Sequence, residues 1–495
     1  MSDIATTRLS DTERSLVETN GIEIIDEAER TAKPSDLFWP WFAANVSVFG
    51  ISYASFVFGF GINFTQALLV TVIGIVLSFL ACGIIAIAGK RGSVPTMVLS
   101  RSAFGVNGQK VPGVFSWLIS MGWETFLAIM AVLATATVFR QLGWSGGTMT
   151  KIIACAVIAT LIVLAAVAGY HTIMRMQSIL TWATGAATIA YIAMTVGRID
   201  LAQVTSRPGG SPEAVIGALV MLMTGFGLGW INIAADWSRY QRRDASGVKI
   251  AFWNTLGGAL APVILVIYGL LLIGSEPALE EGIVNDPIGT LATILPIWFL
   301  VPFLLAAVLA LVSGAVLGIY SSGLTLLSLG INIPRPAAAL IDGTILTLGT
   351  IWVVFFAQDF LGPFQSFLIT LGVPIAAWAG ILMADILLRR RNYDERGLFD
   401  PNGRYGNVNW TAIAIMAVAT VIGWGLVINL FADAAPWNNW QGYLLGAIGG
   451  KEGTWAWANL GVLVSLAIGF LGWLALGTSI VRRQEATQIL AEDRV

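Results

Sequence analysis

The chain has 495 residues, of which 56% are hydrophobic and only 11% are charged. So little charge cannot cover a soluble protein of this length, and the composition therefore indicates an integral membrane protein surrounded by lipid. The formal net charge is -2, which gives no electrostatic basis for binding nucleic acid or another polyanion.

The predicted elements begin after a polar N-terminal stretch. Residues 1–36 mix both signs of charge and lack the apolar core of a signal peptide, so they are predicted to form a cytosolic tail. Twelve apolar runs follow, and each has the roughly 20 residues that a helix needs to cross about 30 Å of hydrocarbon. The runs cover residues 38–63, 66–89, 112–139, 151–170, 177–197, 214–237, 250–273, 297–329, 337–357, 362–388, 409–431 and 454–480.

Lysine and arginine are unevenly divided between the connections of these runs. With both termini placed inside, the inner connections hold 15 of the 27 Lys and Arg, and the outer connections hold 5. The outer stretch GSEPALEEGIVNDP is acidic and contains neither. The positive-inside rule therefore predicts a multi-pass protein of the plasma membrane with both termini in the cytoplasm.

Residues that weaken a helix recur at the centres of several runs. In run six the stretch GFGLGWINIAADWSRY begins at Gly225, so Gly227 and Gly229 also lie in mid-bilayer. Glycines spaced four apart allow close helix packing, which is the simpler interpretation of this run alone. Interrupted segments in the first and sixth positions, however, are typical of secondary transporters whose site lies between inverted repeats. Other polar or small residues at this depth are Asn45, Ser47, Gly50 and Ser52 in run one, Trp123 and Glu124 in run three, and Ser313 and Gly314 in run eight.

Five stretches carry more specific motifs. They are AGKRGSVPTMVLSRSAFGVNGQKVPGVF after run two, GWE in run three, GWINIAADWSRYQ in run six, IYSSGLTLLSLG in run eight and LGVPIAAWAGILMADILLRRRNYD at run ten. Together they resemble the nucleobase:cation symporter family, and within it the purine-cytosine permease-like branch. The resemblance extends from Lys33 to about Trp410. It implies a LeuT-type fold of five-plus-five inverted repeats with two further helices, and uptake of a flat heterocycle driven by a cation gradient.

The predicted fold is therefore an all-α polytopic membrane protein with 12 transmembrane helices, of which helices 1 and 6 are broken. The predicted parts are the N-terminal tail at 1–36, the transporter core at 37–388 with repeats at about 38–197 and 214–388, a cytosolic loop with two accessory helices at 389–480, and a cytosolic C-terminal tail at 481–495.

A nucleobase presents two aromatic faces and a polar edge, so its site needs rings for stacking and a few hydrogen-bond partners. The resemblance assigns one face to Trp123 and the other to Trp230, with Phe226 as the choice if the alignment slips by a turn. The chain has 19 Trp, and the alternative is that these rings only pack the core. Asn232, Thr224, Ser52 or Glu124 is predicted to meet the edge of the base, and Gly227 and Gly229 to let backbone approach the ligand.

Two positions depart from the family pattern. Relatives often have Asn four residues after the stacking Trp and in the middle of run eight, where this chain has Leu127 and the pair Gly314 and Ala315. Both amides would bond the edge of a base, and the loss of a buried polar partner changes specificity strongly. The substrate therefore stays open among cytosine, purines, allantoin-like hydantoins and pyrimidine vitamins.

The coupling ion is predicted to be H⁺ or Na⁺. In sodium-coupled members of this fold, carbonyl groups of the broken first helix and hydroxyl groups of run eight bind the ion. The corresponding candidates are the carbonyl groups from Ala44 to Ser47 and the hydroxyl of Ser313, with Gly314 in place of a second hydroxyl.

Glu124 is the candidate for proton coupling. A charged acid near the bilayer centre costs several kcal/mol, and no basic residue lies at this depth in any run. These conditions favour a neutral acid that binds and releases a proton. The alternative is that Glu124 contacts the substrate, or only braces the neighbouring Trp123.

Other classes of protein find little support in the sequence. The only histidine is His171, and the chain has no HExxH, CxxC or phosphate-binding glycine loop, so we predict no enzyme activity, no cofactor and no metal beyond Na⁺. A channel or a membrane sensor without transport could use the same broken helices and remains the alternative from another class. The sequence leaves the oligomeric state open.

Overall fold

The computed structural model of the chain describes residues 18, 20–357, 361–429 and 439–492. Residues 1–17, 19 and 493–495 of the predicted tails, and the last two residues of run 409–431, lie outside the described residues. Within the described ranges the regular elements are helices, and the pairing of Ala32 with Gln241 is an isolated bridge.

The helices are numbered in chain order. They are α1 Phe38–Asn45, α2 Phe49–Phe58, α3 Phe64–Gly92, α4 Thr96–Leu99, α5 Arg101–Phe104, α6 Lys110–Gln141, α7 Thr148–Ala168, α8 Tyr170–Thr195, α9 Leu201–Thr205, α10 Pro212–Gly225, α11 Gly227–Trp230, α12 Gly247–Ser275, α13 Pro277–Asn285, α14 Pro287–Ala292, α15 Leu300–Ser328, α16 Arg335–Phe356, α17 Leu361–Leu388, α18 Trp410–Gly425, α19 Gly461–Leu476 and α20 Thr478–Glu492.

Membrane-spanning length is common among these helices. In the described part of the chain, 9 helices are long and apolar enough to cross a membrane, and up to 11 spans result if each of two bent pairs counts as one. The remaining predicted run, 409–431, corresponds to α18, which has 16 residues and falls short of the roughly 20 that a span needs. The prediction of an all-helical, polytopic membrane protein is confirmed.

Local sequence explains where several helices begin. The Asn63 side chain accepts a hydrogen bond from the backbone N–H of Gln66, and the Gln66 side chain accepts one from the Asn63 N–H, which forms a capping box for α3. Ser211 caps α10 ahead of a proline in the first turn, and Ser246 caps α12.

The first predicted run is interrupted in the structure. The helical segments Pro34–Asn45 and Phe49–Phe58 meet at an angle of 67°. The Asn45 side chain donates to the carbonyl oxygen of Trp41 at 2.8 Å, which satisfies one acceptor at the end of α1. The Ser47 hydroxyl accepts from the backbone N–H of Phe49 at the start of α2.

The sixth predicted run stops being a regular helix at its glycines. Phe226, between α10 and α11, has φ -117° and ψ -110°. A short α11 and a 3-10 turn, Ile231–Ile233, follow, and the chain then continues in turns to Tyr240. In a membrane the freed backbone groups need partners inside the protein. Ser78 of α3 accepts from the Gly227 N–H at 3.1 Å, and the Cys82 thiol donates to the Gly227 carbonyl at 2.9 Å.

The two interrupted runs contact each other directly, through the ring pairs Trp41 with Trp230 and Tyr53 with Phe226. Helix α6 packs along α15, α3 along α12, and α17 along α19. Helix α1 contacts α8, α12 and α15, whereas α10 and α11 contact α3. The interruptions, α6 and α15 thus surround a common space in the interior of the bundle.

Candidate functional site

A cavity of ≈ 70 Å³ lies where the two interruptions meet α6 and α15. Of the residues predicted for the substrate and ion sites, the structure brings eight to its wall: Ala44, Ser47, Trp123, Glu124, Phe226, Gly229, Trp230 and Asn232. The interruptions of two helices and the middle of a third therefore converge on one small space.

Both tryptophans at this cavity are braced by other rings. Trp230 contacts Trp41 edge to face, with ring centroids 6.0 Å apart. Trp123 makes the same kind of contact with Phe126 at 5.8 Å and Phe364 at 5.4 Å. The indole N–H of Trp123 is buried and has no hydrogen-bond partner among the described residues. Edge-to-face contacts of this kind hold both indole rings in one orientation at the cavity.

Asn232 connects the sixth run to α6. Its side-chain nitrogen lies 2.9 Å from the Ser116 hydroxyl oxygen, 2.9 Å from that of Ser120 and 3.3 Å from the Ser116 carbonyl oxygen. The amide has only two N–H groups, so these oxygens already occupy them. Asn232 lines the cavity but uses its donors to hold the irregular segment against α6.

Glu124 is almost completely enclosed. Its residue is 1% exposed, and Oε2 lies 3.3 Å from the hydroxyl oxygen of Ser322 in α15. Its other oxygen, Oε1, is buried and has no partner in the described part of the chain. A Cβ built on Gly318 would lie 2.5 Å from Glu124 Cγ. The missing side chain at Gly318 thus provides the space that Glu124 occupies.

Four predicted site residues lie elsewhere. The Ser52 hydroxyl donates to the Phe49 carbonyl at 2.6 Å within α2. Gly227 packs on α3, where its Cβ would stand 2.2 Å from the Ser78 carbonyl carbon. The Ser313 hydroxyl donates to Gln177 of α8, and the Ser313 carbonyl accepts from the same amide at 3.1 Å. The structure does not bring these three to the wall of the cavity, and Thr224 lines a second cavity instead.

Other residues of the wall are not among those predicted from the sequence. Tyr53 stands 4.4 Å from Phe226 between ring centroids, and its hydroxyl donates to the Gly225 carbonyl at 3.3 Å. Gly318 also lines the cavity. It follows Gly314 by four residues, so the helical period places both glycines on one face of α15. That spacing could have predicted Gly318 as a wall residue.

A second cavity, of ≈ 150 Å³, adjoins the first. The two share Phe49, Tyr53, Trp123 and Gly225. The second cavity also contacts Pro287, at the start of α14, and is lined largely by aromatic and aliphatic side chains. The shared residues therefore form the boundary between the two cavities.

A cavity between two interrupted helices of a polytopic bundle is typical of a membrane transporter. Within that class, the chain belongs to the nucleobase:cation symporter family: the family profile described as "Permease for cytosine/purines, uracil, thiamine, allantoin" matches residues 24–446. A putative purine-cytosine permease of Bacillus subtilis is 24% identical, over 81% of this chain and 86% of its own. A purine-cytosine permease of Saccharomyces cerevisiae is 23% identical, over 92% and 87%. The hydantoin permease of Microbacterium maritypicum is 22% identical, over 80% and 82%.

Solved structures share the fold. Mhp1, a nucleobase-cation-symport-1 family transporter captured closed with bromovinylhydantoin bound, superposes with a TM-score of 0.69 at 19% identity and covers 95% of this chain and 100% of its own. A Na⁺-coupled sialic acid symporter gives a TM-score of 0.59 at 12% identity, over 93% of this chain and 92% of its own. The chain thus has the LeuT-type fold.

Proposed function

We propose that this protein imports a nucleobase or a related flat nitrogen heterocycle by proton symport with alternating access. The observation that carries the proposal is the convergence of Trp123, Trp230 and Glu124 on one cavity. The two rings bind the faces of the heterocycle, and Glu124 meets its edge or carries the coupling proton. Permeases for purines, cytosine and hydantoin among the relatives support this class of substrate.

The environment of the ion candidates favours a proton over sodium. Ala44 and Ser47 line the cavity, but Ser313 does not and is turned towards Gln177. Gly314 brings no side-chain oxygen to complete a set of ligands. Sodium binds through oxygen ligands, so the separation of Ser313 from the carbonyl groups weakens that site. Glu124, by contrast, has an unused oxygen close to the proposed substrate.

The proposed architecture has 12 spans in two inverted repeats of five, with broken helices 1 and 6 and both termini in the cytoplasm of a plasma-membrane protein. The 67° angle in the first run and the irregular sixth run support the two breaks. Arg30 lies within hydrogen-bonding distance of the carbonyl groups of Lys90 and Gln241, which supports placing the N-terminal segment and two predicted inner connections at one end of the bundle. The parts 1–36, 37–388, 389–480 and 481–495 are proposed accordingly.

Ligand-dependent stability tests the substrate class. Purified protein is heated with a panel of nucleobases and hydantoins, with and without sodium, because a ligand at 100 times its Kd stabilises the native state by about 2.7 kcal/mol. We expect a planar heterocycle to raise the melting temperature without sodium. If no member of the panel does so, the proposed substrate class is wrong.

Uptake into proteoliposomes tests transport and coupling. We expect accumulation above the external concentration under an inward proton gradient, and its loss when a protonophore is added. Glu124→Gln keeps the shape of the side chain but cannot titrate, so it should exchange substrate and fail to accumulate it. Accumulation that needs sodium and ignores the protonophore would replace the proton with Na⁺. Equilibration without accumulation in the wild-type protein would favour a channel.

A further inference from the structure

A second buried carboxyl group lies beside Glu124, on a helix that contributes nothing to the wall of the cavity. Asp342 of α16 is 0% exposed. Its Oδ2 accepts from the Ser322 hydroxyl at 2.8 Å, and its Oδ1 accepts from the indole N–H of Trp117 at 3.0 Å. The same Ser322 oxygen stands 3.3 Å from Glu124 Oε2. One hydroxyl group therefore joins the carboxyl groups of α6 and α16.

The arrangement of hydrogen bonds favours a proton on the pair, because the one Ser322 hydrogen has both carboxyl groups and the Ile319 carbonyl within 3.3 Å. A serine hydroxyl has one hydrogen to donate, and an ionised carboxylate only accepts. If both acids were ionised, Ser322 could satisfy one of them and its oxygen would repel the other. With one proton on Glu124, the Glu124 acid donates to Ser322, Ser322 donates to Asp342, and Trp117 completes the acceptors of Asp342.

No cation in the surrounding helices competes for these acids. Helix α15, which supplies Ser322, has no charged side chain, and its Tyr320 bonds to Glu18 and Arg239. The other charged or titratable side chains of α6, α7 and α16 are Lys110, Arg140, Lys151, Cys155 and Arg335, of which the four cations stand in terminal turns. Arg335 donates to the carbonyl groups of Val167 and Ala166. The two acids are therefore each other's principal electrostatic partners.

Of the two acids, Glu124 lines the cavity and Asp342 lies farther from it. Trp117, which holds Asp342, precedes Glu124 by seven residues on α6, about 10 Å nearer to the end that begins at Lys110. The end nearest Asp342 is covered by an apolar cluster of Leu326, Leu327 and Ala338, against which Trp117 and Ile22 pack. Glu124 thus faces the cavity, and Asp342 lies behind it towards the proposed cytoplasmic end.

We propose that Asp342 receives the coupling proton from Glu124 through Ser322, an inference that rests on the proposed proton symport. The Glu124 acid passes its proton to Ser322 Oγ while Ser322 passes its own to Asp342 Oδ2. Glu124 becomes the carboxylate, Asp342 becomes the acid, and the serine is regenerated. The 3.3 Å separation exceeds that of a strong O–H···O bond, so Glu124 approaches Ser322 by a few tenths of an ångström for transfer. Water reaches Asp342 when the apolar cluster opens.

The experiment compares exchange with accumulation in proteoliposomes. For one proton per substrate, the wild-type protein should accumulate substrate about tenfold for each unit of imposed pH gradient. Asp342→Asn should bind and exchange substrate within about twofold of wild type, while its accumulation ratio falls towards one. Unchanged accumulation in this variant overturns the proposal.

Matched variants distinguish a loss of the proton relay, which runs from Glu124 through Ser322 to Asp342, from a loss of fold stability. Thr350→Val removes another buried hydroxyl group of α16, which has no partner among the described residues, and should accumulate normally. Ser322→Ala removes the bridge without removing a carboxyl group, and Ser322→Thr restores it. If Asp342→Asn does not fold, normal accumulation in Ser322→Ala still overturns the relay. Loss in Glu124→Gln with normal accumulation in Asp342→Asn contradicts the relay alone, and no accumulation by the wild-type protein contradicts the proposed function itself.

Discussion

Trp123 and Trp230 combine exposure to the cavity with firm support from neighbouring rings. A ring that is fixed before the ligand arrives loses little conformational freedom when it binds, so its contact area contributes more fully to affinity. The contacts with Trp41, Phe126 and Phe364 provide this support. The two tryptophans are therefore expected to be the main anchors of the substrate.

Replacing either tryptophan tests that expectation. Trp123→Ala and Trp230→Ala should each weaken substrate binding by about 2 kcal/mol or more, which is roughly thirtyfold in Kd, since truncated aromatic anchors have this effect. Titration of the purified variants measures it. Trp182→Ala is the control, because Trp182 is 70% exposed on α8 and should bind as wild type does. Wild-type affinity in both site variants would show that the rings only pack the core.

Gly318 tests the position of Glu124 without changing the acid itself. In Gly318→Ala the new methyl group would lie 2.5 Å from Glu124 Cγ, so it should displace the carboxyl group and reduce accumulation more than exchange. Gly323→Ala adds the same group on the same helix, where the nearest atom is 3.5 Å away. Uptake assays should therefore separate the two variants, and equal accumulation would mean that Glu124 tolerates displacement.

At the scale of the elements, the interruption of the sixth run is stabilised by α3. A break in a membrane helix frees backbone groups that lipid cannot satisfy. Ser78 accepts from the Gly227 N–H and Cys82 donates to the Gly227 carbonyl. Because Gly227 has no side chain, its backbone can contact the backbone of α3 at Ser78. This explains a buried thiol in the middle of α3 that neither forms a disulfide nor lines the cavity.

Close backbone contact at Gly227 leads to a prediction about stability. Gly227→Ala places a methyl group 2.2 Å from the Ser78 carbonyl carbon, so the free energy of unfolding should fall by about 1–3 kcal/mol, as for other overpacked sites. Gly372→Ala in α17 meets no atom within 4 Å and should be neutral or slightly stabilising, since alanine favours a helix. Thermal unfolding compares the two. A normal melting temperature for Gly227→Ala would contradict the packing argument.

The glycines also show how far the sequence could predict the site. The non-helical backbone at Phe226 falls within the stretch GFGLGW. The stretch itself could not distinguish Gly229, at the cavity, from Gly227, against α3, because that depends on which helix packs on each face. The same holds for two adjacent residues of α15: Ser313 bonds to Gln177, whereas Gly314 lines the cavity. A role for Asp342 could not be predicted, because its partner Ser322 lies on another helix.

At the scale of the whole molecule, residues 20–37 cross one end of the bundle. Ile25 bonds to the Ser93 carbonyl, and Ala32 to the Tyr240 carbonyl, so the segment joins the connections that follow the second and sixth runs. Polar composition alone predicted a tail here. The charged side chain of Arg30 is nevertheless buried, because its guanidinium donates hydrogen bonds to the carbonyl oxygens of Lys90 and Gln241. With the proposed alternating access, we expect the segment to separate from at least one of these connections when this end opens.

Glu18 holds the start of this segment, and its removal is the final prediction. Its carboxylate accepts from the Tyr240 hydroxyl at 2.6 Å and from the Tyr170 backbone N–H at 2.6 Å, and it lies 3.4 Å from the guanidinium of Arg239. Breaking one partner of a buried ion pair costs about 3–5 kcal/mol, because it leaves the other charge uncompensated. In Glu18→Gln we therefore expect the amide groups of Ile25 and Ala32 to exchange with deuterium more than tenfold faster.

Hydrogen exchange followed by mass spectrometry measures that effect, with amides in the middle of α15 as an internal reference that should not change. Glu452→Gln provides the control, because Glu452 is exposed in a predicted outer connection and should leave the N-terminal segment protected. If release of the segment is part of opening this end, Glu18→Gln should also exchange substrate faster than wild type, and its substrate affinity should be unchanged. Unchanged protection at Ile25 and Ala32 would mean that the contacts with Ser93 and Tyr240 hold the segment without the carboxylate.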